Sequence, residues 1–259
     1  MTLKGKVFIS TVNACKSSSM RHIFEPLGAT IFDFPMTEII KTEILPEIHD
    51  AFSQIEKYNW IIFTSSNGVR YFHQLLSELT GMSSVPTTVK LAAVGPKTAM
   101  ELKNNGRTAD FTGFGGTAES LAAELIEKQF VQNCNVLLPL GNLAPDAMRS
   151  SLSGIAEVTR INVYKTVKTD VRDNKPVELI RSNGYDLILF TSPSGLANFA
   201  EILGSENLNP QLRLACIGNV TAKAAEQYGL KSTITAQTST YEGLAHEIMN
   251  YYYKIKNLN

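Results

Sequence analysis

The sequence predicts an α/β protein of two related domains, each a parallel sheet covered by helices. Three observations carry this. First, Trp60-Ile61-Ile62-Phe63-Thr64-Ser65-Ser66-Asn67-Gly68 resembles Asp186-Leu187-Ile188-Leu189-Phe190-Thr191-Ser192-Pro193-Ser194-Gly195, and Leu91-Ala92-Ala93-Val94-Gly95 resembles Leu214-Ala215-Cys216-Ile217-Gly218. The offset is 127 at Phe63 and Phe190 and 123 from Gly95 and Gly218 through Leu121 and Leu244, the difference falling in the first copy's longer loop around Gly81–Thr88. Second, the apolar runs do not alternate, which marks strands buried on both faces. Third, each run leads through a hydroxyl- and glycine-rich turn into an amphipathic segment, the βα order of a parallel sheet. A period this long means two domains of one design rather than a solenoid.

Taken in order, Lys6–Ser10 reads as a strand, Ser19–Leu27 as a helix and Thr30–Phe34 as a strand. In the first copy, strands Trp60–Phe63 and Leu91–Gly95 precede helices Val69–Leu79 and Thr98–Lys103. Gly106 closes the second helix, as C-terminal glycines commonly do, and a third helix follows Thr117-Ala118-Glu119. Asn135–Leu140 is a strand and Pro145–Leu152 a helix. Val158–Val167 is long and alternating, with Val158, Arg160, Asn162 and Tyr164 on one face and Thr159, Ile161, Val163 and Lys165 on the other. The second copy repeats the plan: strands Leu187–Phe190 and Leu214–Gly218, helices Leu196–Leu203 and Thr221–Tyr228, Gly229, and a helix after Thr240-Tyr241-Glu242. The chain passes between the copies near Phe34–Lys41 and again near Asn162–Asp170. Assigning the first strands to the second copy equalises the strand numbers. It gives a discontinuous first domain of residues 1–36 and 168–259, a second domain of residues 37–167, and a two-stranded hinge near 37–41 and 162–167.

Composition bounds the function. The 259 residues are 44% hydrophobic, and Lys plus Arg (24) equals Asp plus Glu (24). The apolar share is enough to bury a core. Zero net charge argues against gripping nucleic acid or an anionic membrane by bulk positive charge, but leaves room for an anion held by local groups. No stretch approaches the roughly 20 apolar residues of a membrane span, and the first apolar run is too short for a signal-peptide core. Cys15, Cys134 and Cys216 are odd in number and unrelated in spacing, so neither a disulfide framework nor a zinc site is read; a reducing cytoplasm is the expected compartment.

In parallel α/β domains, ligands sit beyond the carboxyl ends of the strands. The residues there are Thr64–Gly68, Gly95-Pro96-Lys97-Thr98, Thr191–Gly195 and Gly218-Asn219-Val220-Thr221. Such turns expose backbone N–H groups at helix starts, which attract anions. Ser, Thr and Asn are also ordinary helix caps, but four such turns at equivalent ends of two related sheets point to a shared ligand surface. Gly113-Phe114-Gly115-Gly116 could cradle a phosphate, yet the second copy has Gln237-Thr238-Ser239 there. No GxGxxG follows a strand, and neither GxxxxGK[ST] nor GxSxG occurs. His22, His49, His73 and His246 sit far apart on helices, without metal-ligand spacing. Cys15 and Cys216 read as small buried hydrophobes before nucleophiles. Tyr164, at the end of the hinge strand, either caps an apolar core or positions a departing oxygen.

These residues resemble the uroporphyrinogen-III synthase family over essentially the whole chain. The carriers are Phe63–Val69, Ala93-Val94-Gly95-Pro96-Lys97-Thr98-Ala99, Pro139-Leu140-Gly141, Val163-Tyr164-Lys165-Thr166, Phe190–Gly195 and Cys216-Ile217-Gly218-Asn219-Val220-Thr221-Ala222. The resemblance implies two α/β domains joined by a two-stranded ladder. It implies a substrate, hydroxymethylbilane, a linear tetrapyrrole with eight carboxylates. The family closes it with loss of water and inversion of the last pyrrole, using no metal or organic cofactor. Tyr164 matches the tyrosine proposed to assist loss of the hydroxyl. Thr221, Ser192 and Ser194 match residues of the family's cleft, and Thr64, Ser65, Ser66 and Thr98 are their first-copy counterparts for substrate binding. A monomer without nucleic-acid or membrane partners is expected. Two other readings stay open: a non-catalytic or weakly active two-lobed tetrapyrrole-binding protein, and a flavodoxin-like protein with Thr64–Gly68 as a phosphate loop. One departure stands out. Family members often carry an arginine in a Thr-Arg-Pro turn after the first strand, where this chain reads Ser10-Thr11-Val12-Asn13. Either the first-domain edge of the anion site is weaker, or Lys16 or Arg21 substitutes.

Overall fold

Trp60-Ile61-Ile62-Phe63 forms a strand whose four side chains are all buried, and so does Leu187-Ile188-Leu189-Phe190. Non-alternating runs require apolar cover on both faces, and both faces have it. Ile61 and Phe63 share one layer with Phe52, Val69 and Phe72, while Trp60 and Ile62 share the other with Leu121, Leu125 and Met148. Ile188 and Phe190 pack with Leu196 and Phe199; Leu187 and Leu189 pack with Met20, Phe24, Leu244 and Ile248. Phe63 meets Phe72 edge-on at 5.3 Å, and Phe190 meets Phe199 edge-on at 5.0 Å. The same aromatic pair therefore recurs in both copies.

The computed structural model describes residues 2–12, 14–169, 175–204 and 208–258. In chain order its elements are β1 (Val7–Ser10), α1 (Ala14–Phe24), β2 (Thr30–Asp33), β3 (Thr37–Lys41), α2 (Pro46–Ser53), β4 (Trp60–Phe63), α3 (Ser66–Thr80), β5 (Lys90–Ala93), α4 (Pro96–Asn104), β6 (Phe111–Thr112), α5 (Ala118–Glu127), β7 (Asn135–Gly141), α6 (Ala147–Ser151), β8 (Glu157–Lys168), α7 (Lys175–Arg181), β9 (Leu187–Phe190), α8 (Pro193–Leu203), β10 (Leu214–Cys216), α9 (Asn219–Glu226), β11 (Ser232–Thr235) and α10 (Tyr241–Leu258). The chain divides into two units, Met1–Glu38 with Val167–Asn259, and Ile39–Thr166.

The discontinuous unit holds a five-stranded sheet in the order β11-β10-β9-β1-β2, every neighbouring pair parallel. The continuous unit carries the body of a six-stranded sheet, β3-β8-β7-β4-β5-β6, with parallel pairs from β8 to β6. Read from the edge, β6-β5-β4-β7-β8 and β11-β10-β9-β1-β2 are one arrangement. The first chain segment fills the places that β7 and β8 fill in the other unit. The repeat is thus circularly shifted, which is why the amino-terminal strands have no counterpart upstream of the first copy.

The structure departs from the sequence reading in several places. α1 starts at Ala14 rather than Ser19, and the last three residues of the expected helix, Glu25–Leu27, form a 3-10 turn containing Pro26. The short edge strands β6 and β11 and the helices α2 and α7 were not singled out from the sequence. β8 does not alternate throughout. Its pairing with β7 runs Leu140 to Asn162 and then Gly141 to Tyr164, so one residue of β8 is extra. Such a bulge turns the following side chain over. Tyr164 accordingly packs in the layer of Ile161 and Val163, not on the face of Val158 and Asn162. Asn13, Asp170 and the Lys16 side chain lie outside the described residues.

Candidate active site

β4 ends at Phe63, and the chain must cap the amides of α3 at once. Ser65 does so: in extended conformation, its Oγ accepts the Gly68 N–H at 3.0 Å. Ser192 does the same for α8, accepting the Gly195 N–H at 3.0 Å. Each cap satisfies one otherwise orphaned helix donor. α4 and α9 begin instead at the extended glycines Gly95 and Gly218.

In the Ile39–Thr166 unit these turns meet β8. The Tyr164 hydroxyl lies 3.5 Å from Ser65 Oγ, the outer limit of a hydrogen bond. The ring stands 5.7 Å from that of Tyr71, whose own hydroxyl donates to the Ile39 carbonyl at 2.7 Å. Ser66 Oγ donates to the Lys97 carbonyl at 3.4 Å, tying the β4 turn to the β5 turn. Thr64 is half-buried at the strand end, and Thr98 is buried in the first turn of α4, 4% exposed.

In the discontinuous unit, a cavity of about 290 Å³ opens at the same ends of the strands. Its polar wall is Thr11, Thr37, Thr191, Ser192, Ser194, Asn198 and Tyr241, and among the described residues no charged side chain lines it. Ser192 and Ser194 face each other, their hydroxyls 3.2 Å apart. Thr221 is not part of this wall; it is buried in the first turn of α9, 2% exposed. The structure thus brings Tyr164 to Ser65, and Ser192 to Ser194, while Thr98 and Thr221 stand at equivalent buried positions. Thr11, Asn198, Tyr241 and Tyr71 were missed in the sequence. Asn198 follows Ser194 by one helical turn, which was a readable signal. Thr11 carries no such signal, being a lone hydroxyl in a turn between β1 and α1.

The other candidates resolve in physical terms. Val12, in the turn where the resemblance led to the expectation of an arginine, packs against the apolar layer of α1 and α10. Arg21 is engaged: its guanidinium pairs with Glu25 and Asp33, both at 2.8 Å. The glycine-rich loop holds a carboxylate of its own chain, for Glu124 accepts from the Phe114 and Gly115 N–H groups at 3.1 and 3.2 Å. Cys216 is fully buried in β10, and burial pushes its thiol up, away from nucleophilic use. Among the described residues, no three His, Cys, Asp or Glu side chains are placed to hold a metal ion, and no helix is long and apolar enough to cross a membrane.

Residues 18–246 match the family model described as uroporphyrinogen-III synthase HemD. The chain belongs to the uroporphyrinogen-III synthase family. It is 29% identical over 224 residues to the porphyrin biosynthesis protein HemD of Ruminiclostridium josui, a match covering 86% of this chain and 44% of that one. It is 27% identical over 214 residues to the uroporphyrinogen-III synthase of Chlorobaculum parvum, covering 81% and 84%. The chain therefore spans less than half the length of the first relative and most of the second. The crystal structure of uroporphyrinogen-III synthetase from Helicobacter pylori shares the fold, with a TM-score of 0.54 at 15% identity over 95% of this chain and 99% of that one. In the turn after β1, the Thr11 hydroxyl donates to the Leu189 carbonyl at 2.7 Å and so ties that turn to β9.

Proposed function

We propose that this chain is a carbon–oxygen hydro-lyase that converts hydroxymethylbilane to uroporphyrinogen III, acting as a cytoplasmic monomer without metal or organic cofactor. The observation that supports this best is Tyr164. In a member of this family, a bulge sets its hydroxyl beside the Ser65 helix start, at the carboxyl edge of the sheet.

In this reading Ser65 spends a lone pair on the Gly68 N–H and turns its own O–H toward the phenol oxygen. The phenol proton is then free for the substrate. It passes to the terminal hydroxyl as the C–O bond breaks, and water leaves. The substituted carbon of the last pyrrole attacks the electron-poor methylene. The older bond at that carbon then breaks and re-forms at the ring's free carbon, which inverts the ring. The proton released there restores the phenol, so the net change is one water lost. Closure without inversion competes, so the protein's main work is orientation. The substrate's carboxylates are held by uncharged donors: the amides at helix starts and the hydroxyls of Thr64, Ser65, Ser66, Ser192 and Ser194, whereas Thr98 and Thr221 are buried at 4% and 2% exposure and do not reach them. A helix start contributes about 0.3–1 kcal/mol toward an anion, so several are needed together.

Tyr164→Phe tests the assignment. It should lower kcat on hydroxymethylbilane with little change in KM, because the phenol is needed only as the C–O bond breaks. Unchanged kcat removes Tyr164 from the mechanism, and binding without turnover in the wild type favours a tetrapyrrole-binding protein.

A further inference from the structure

A regular β8 would carry Tyr164 on the same face as Arg160 and Asn162, away from Ser65. The bulge after Asn162 prevents this and sets Tyr164 opposite Gly141 in the ladder. The ring then lies directly on the glycine. A Cβ at residue 141 would stand 2.4 Å from Cε2 and Cζ of Tyr164 and 2.8 Å from its hydroxyl oxygen. Real Cβ atoms do not approach that closely, so the ring sits where only a glycine leaves space.

The next residue fixes the backbone. The Asn142 N–H donates to the Tyr164 carbonyl at 3.2 Å. The Asn142 side chain then accepts the Thr166 N–H at 2.8 Å and donates to the Thr166 carbonyl at 3.3 Å. A primary amide carries the same donor and acceptor as a peptide group. Asn142 therefore extends the parallel ladder by one rung after β7 has ended, and holds the segment on both sides of Tyr164. Asn142 is itself exposed and contributes nothing to the core.

We infer that Gly141 and Asn142 are positioning residues for Tyr164: the glycine makes room for the ring beside Ser65, and the asparagine amide clamps the bulged strand that presents it. This rests on the reading of Tyr164 given above.

The test is a set of four variants, Tyr164→Phe, Gly141→Ala, Asn142→Leu and Gly141→Ala/Tyr164→Phe, assayed on hydroxymethylbilane with thermal unfolding in parallel. Displacing the ring by about 1 Å should lower kcat by roughly 10–100-fold in Gly141→Ala and by less in Asn142→Leu, with KM held. In the Tyr164→Phe background, Gly141→Ala should lower kcat no further, since both act through one hydroxyl. In protein labelled with 3-fluorotyrosine, the fluorine resonance missing from Tyr164→Phe should shift in Gly141→Ala and in Asn142→Leu. If Tyr164→Phe retains wild-type kcat, the catalytic reading of Tyr164 is wrong and the inference falls with it. If Tyr164→Phe is slow but Gly141→Ala and Asn142→Leu are folded with wild-type kcat and an unmoved resonance, the positioning inference alone is overturned. Asn142→Leu replaces an exposed side chain, so it decides the matter even where Gly141→Ala fails to fold.

Discussion

Ser65 and Ser192 do the same local job in the two units, each accepting the N–H three residues on at 3.0 Å. Replacing such a cap by alanine costs about 0.5–2 kcal/mol. Ser65→Ala and Ser192→Ala should therefore destabilise their own units by similar amounts, about 1 kcal/mol, read as lower urea midpoints with unchanged slopes. Kinetics should separate them. Ser65 also stands 3.5 Å from the Tyr164 hydroxyl, whereas Ser192 lies 3.2 Å from the Ser194 hydroxyl at the wall of the cavity in the other unit. Losing a neutral hydrogen bond worth about 0.5–1.5 kcal/mol at the phenol should cut kcat roughly 2–10-fold in Ser65→Ala. Under the substrate-binding role proposed for Ser192, Ser192→Ala should instead raise KM at constant kcat, the signature of lost binding shared by ground and transition states. The assay is steady-state turnover at a urea-free temperature where both variants are fully folded. If both variants alter the same constant, or Ser65→Ala keeps the wild-type kcat, the coupling of the helix cap to the tyrosine is refuted.

His73 is buried in the Ile39–Thr166 unit; desolvation lowers its pKa, its Nδ1–H donates to the Val69 carbonyl at 2.9 Å, and its Nε2 lacks a partner among the described residues. The unfolded chain takes up that proton near pH 6.5 while the folded unit resists it, so stability is full above that pH and falls as pH drops toward the lowered folded value; urea unfolding between pH 5 and 7.5 should show this slope in the wild type and lose it in His73→Leu. Phe63→Ala and Phe190→Ala should each cost about 3–5 kcal/mol, since each deletes the edge-on aromatic contact at its core, and a cost below that of a cap would contradict the layer assignment. If hydroxyls and amides hold the carboxylates as proposed, KM should rise only modestly with salt; a steep rise would mean that lysines and arginines carry the binding.

The strands of the core were legible because burial on both faces writes itself as an unbroken apolar run. Trp60–Phe63 and Leu187–Phe190 match the strands residue for residue. Elements that bury little were not legible: β6 has two half-buried residues, and β11 buries only Ile234. α2 was missed although its Ile48, Ala51 and Phe52 are buried, since it begins at a proline without a hydroxyl cap to announce it. The face of Tyr164 could not be read from alternation, because one extra residue in β8 reverses it and nothing in Val163-Tyr164 signals the bulge. The repeat drew attention to the hydroxyl turns, and it explains why Ser65 and Ser192 recur as caps. The same repeat could not show that Thr221 is buried away from the cavity that Thr11 and Asn198 line. That depends on how α8 and α9 settle on their sheet.

Turnover of hydroxymethylbilane, followed by oxidation and chromatographic separation of the isomers, tests the central claim most directly. Uroporphyrinogen III should exceed uroporphyrinogen I in the presence of the wild-type chain, and the excess should shrink as Tyr164→Phe slows the enzymatic route against spontaneous closure. Formation of isomer I alone, at the rate seen without protein, would contradict the account.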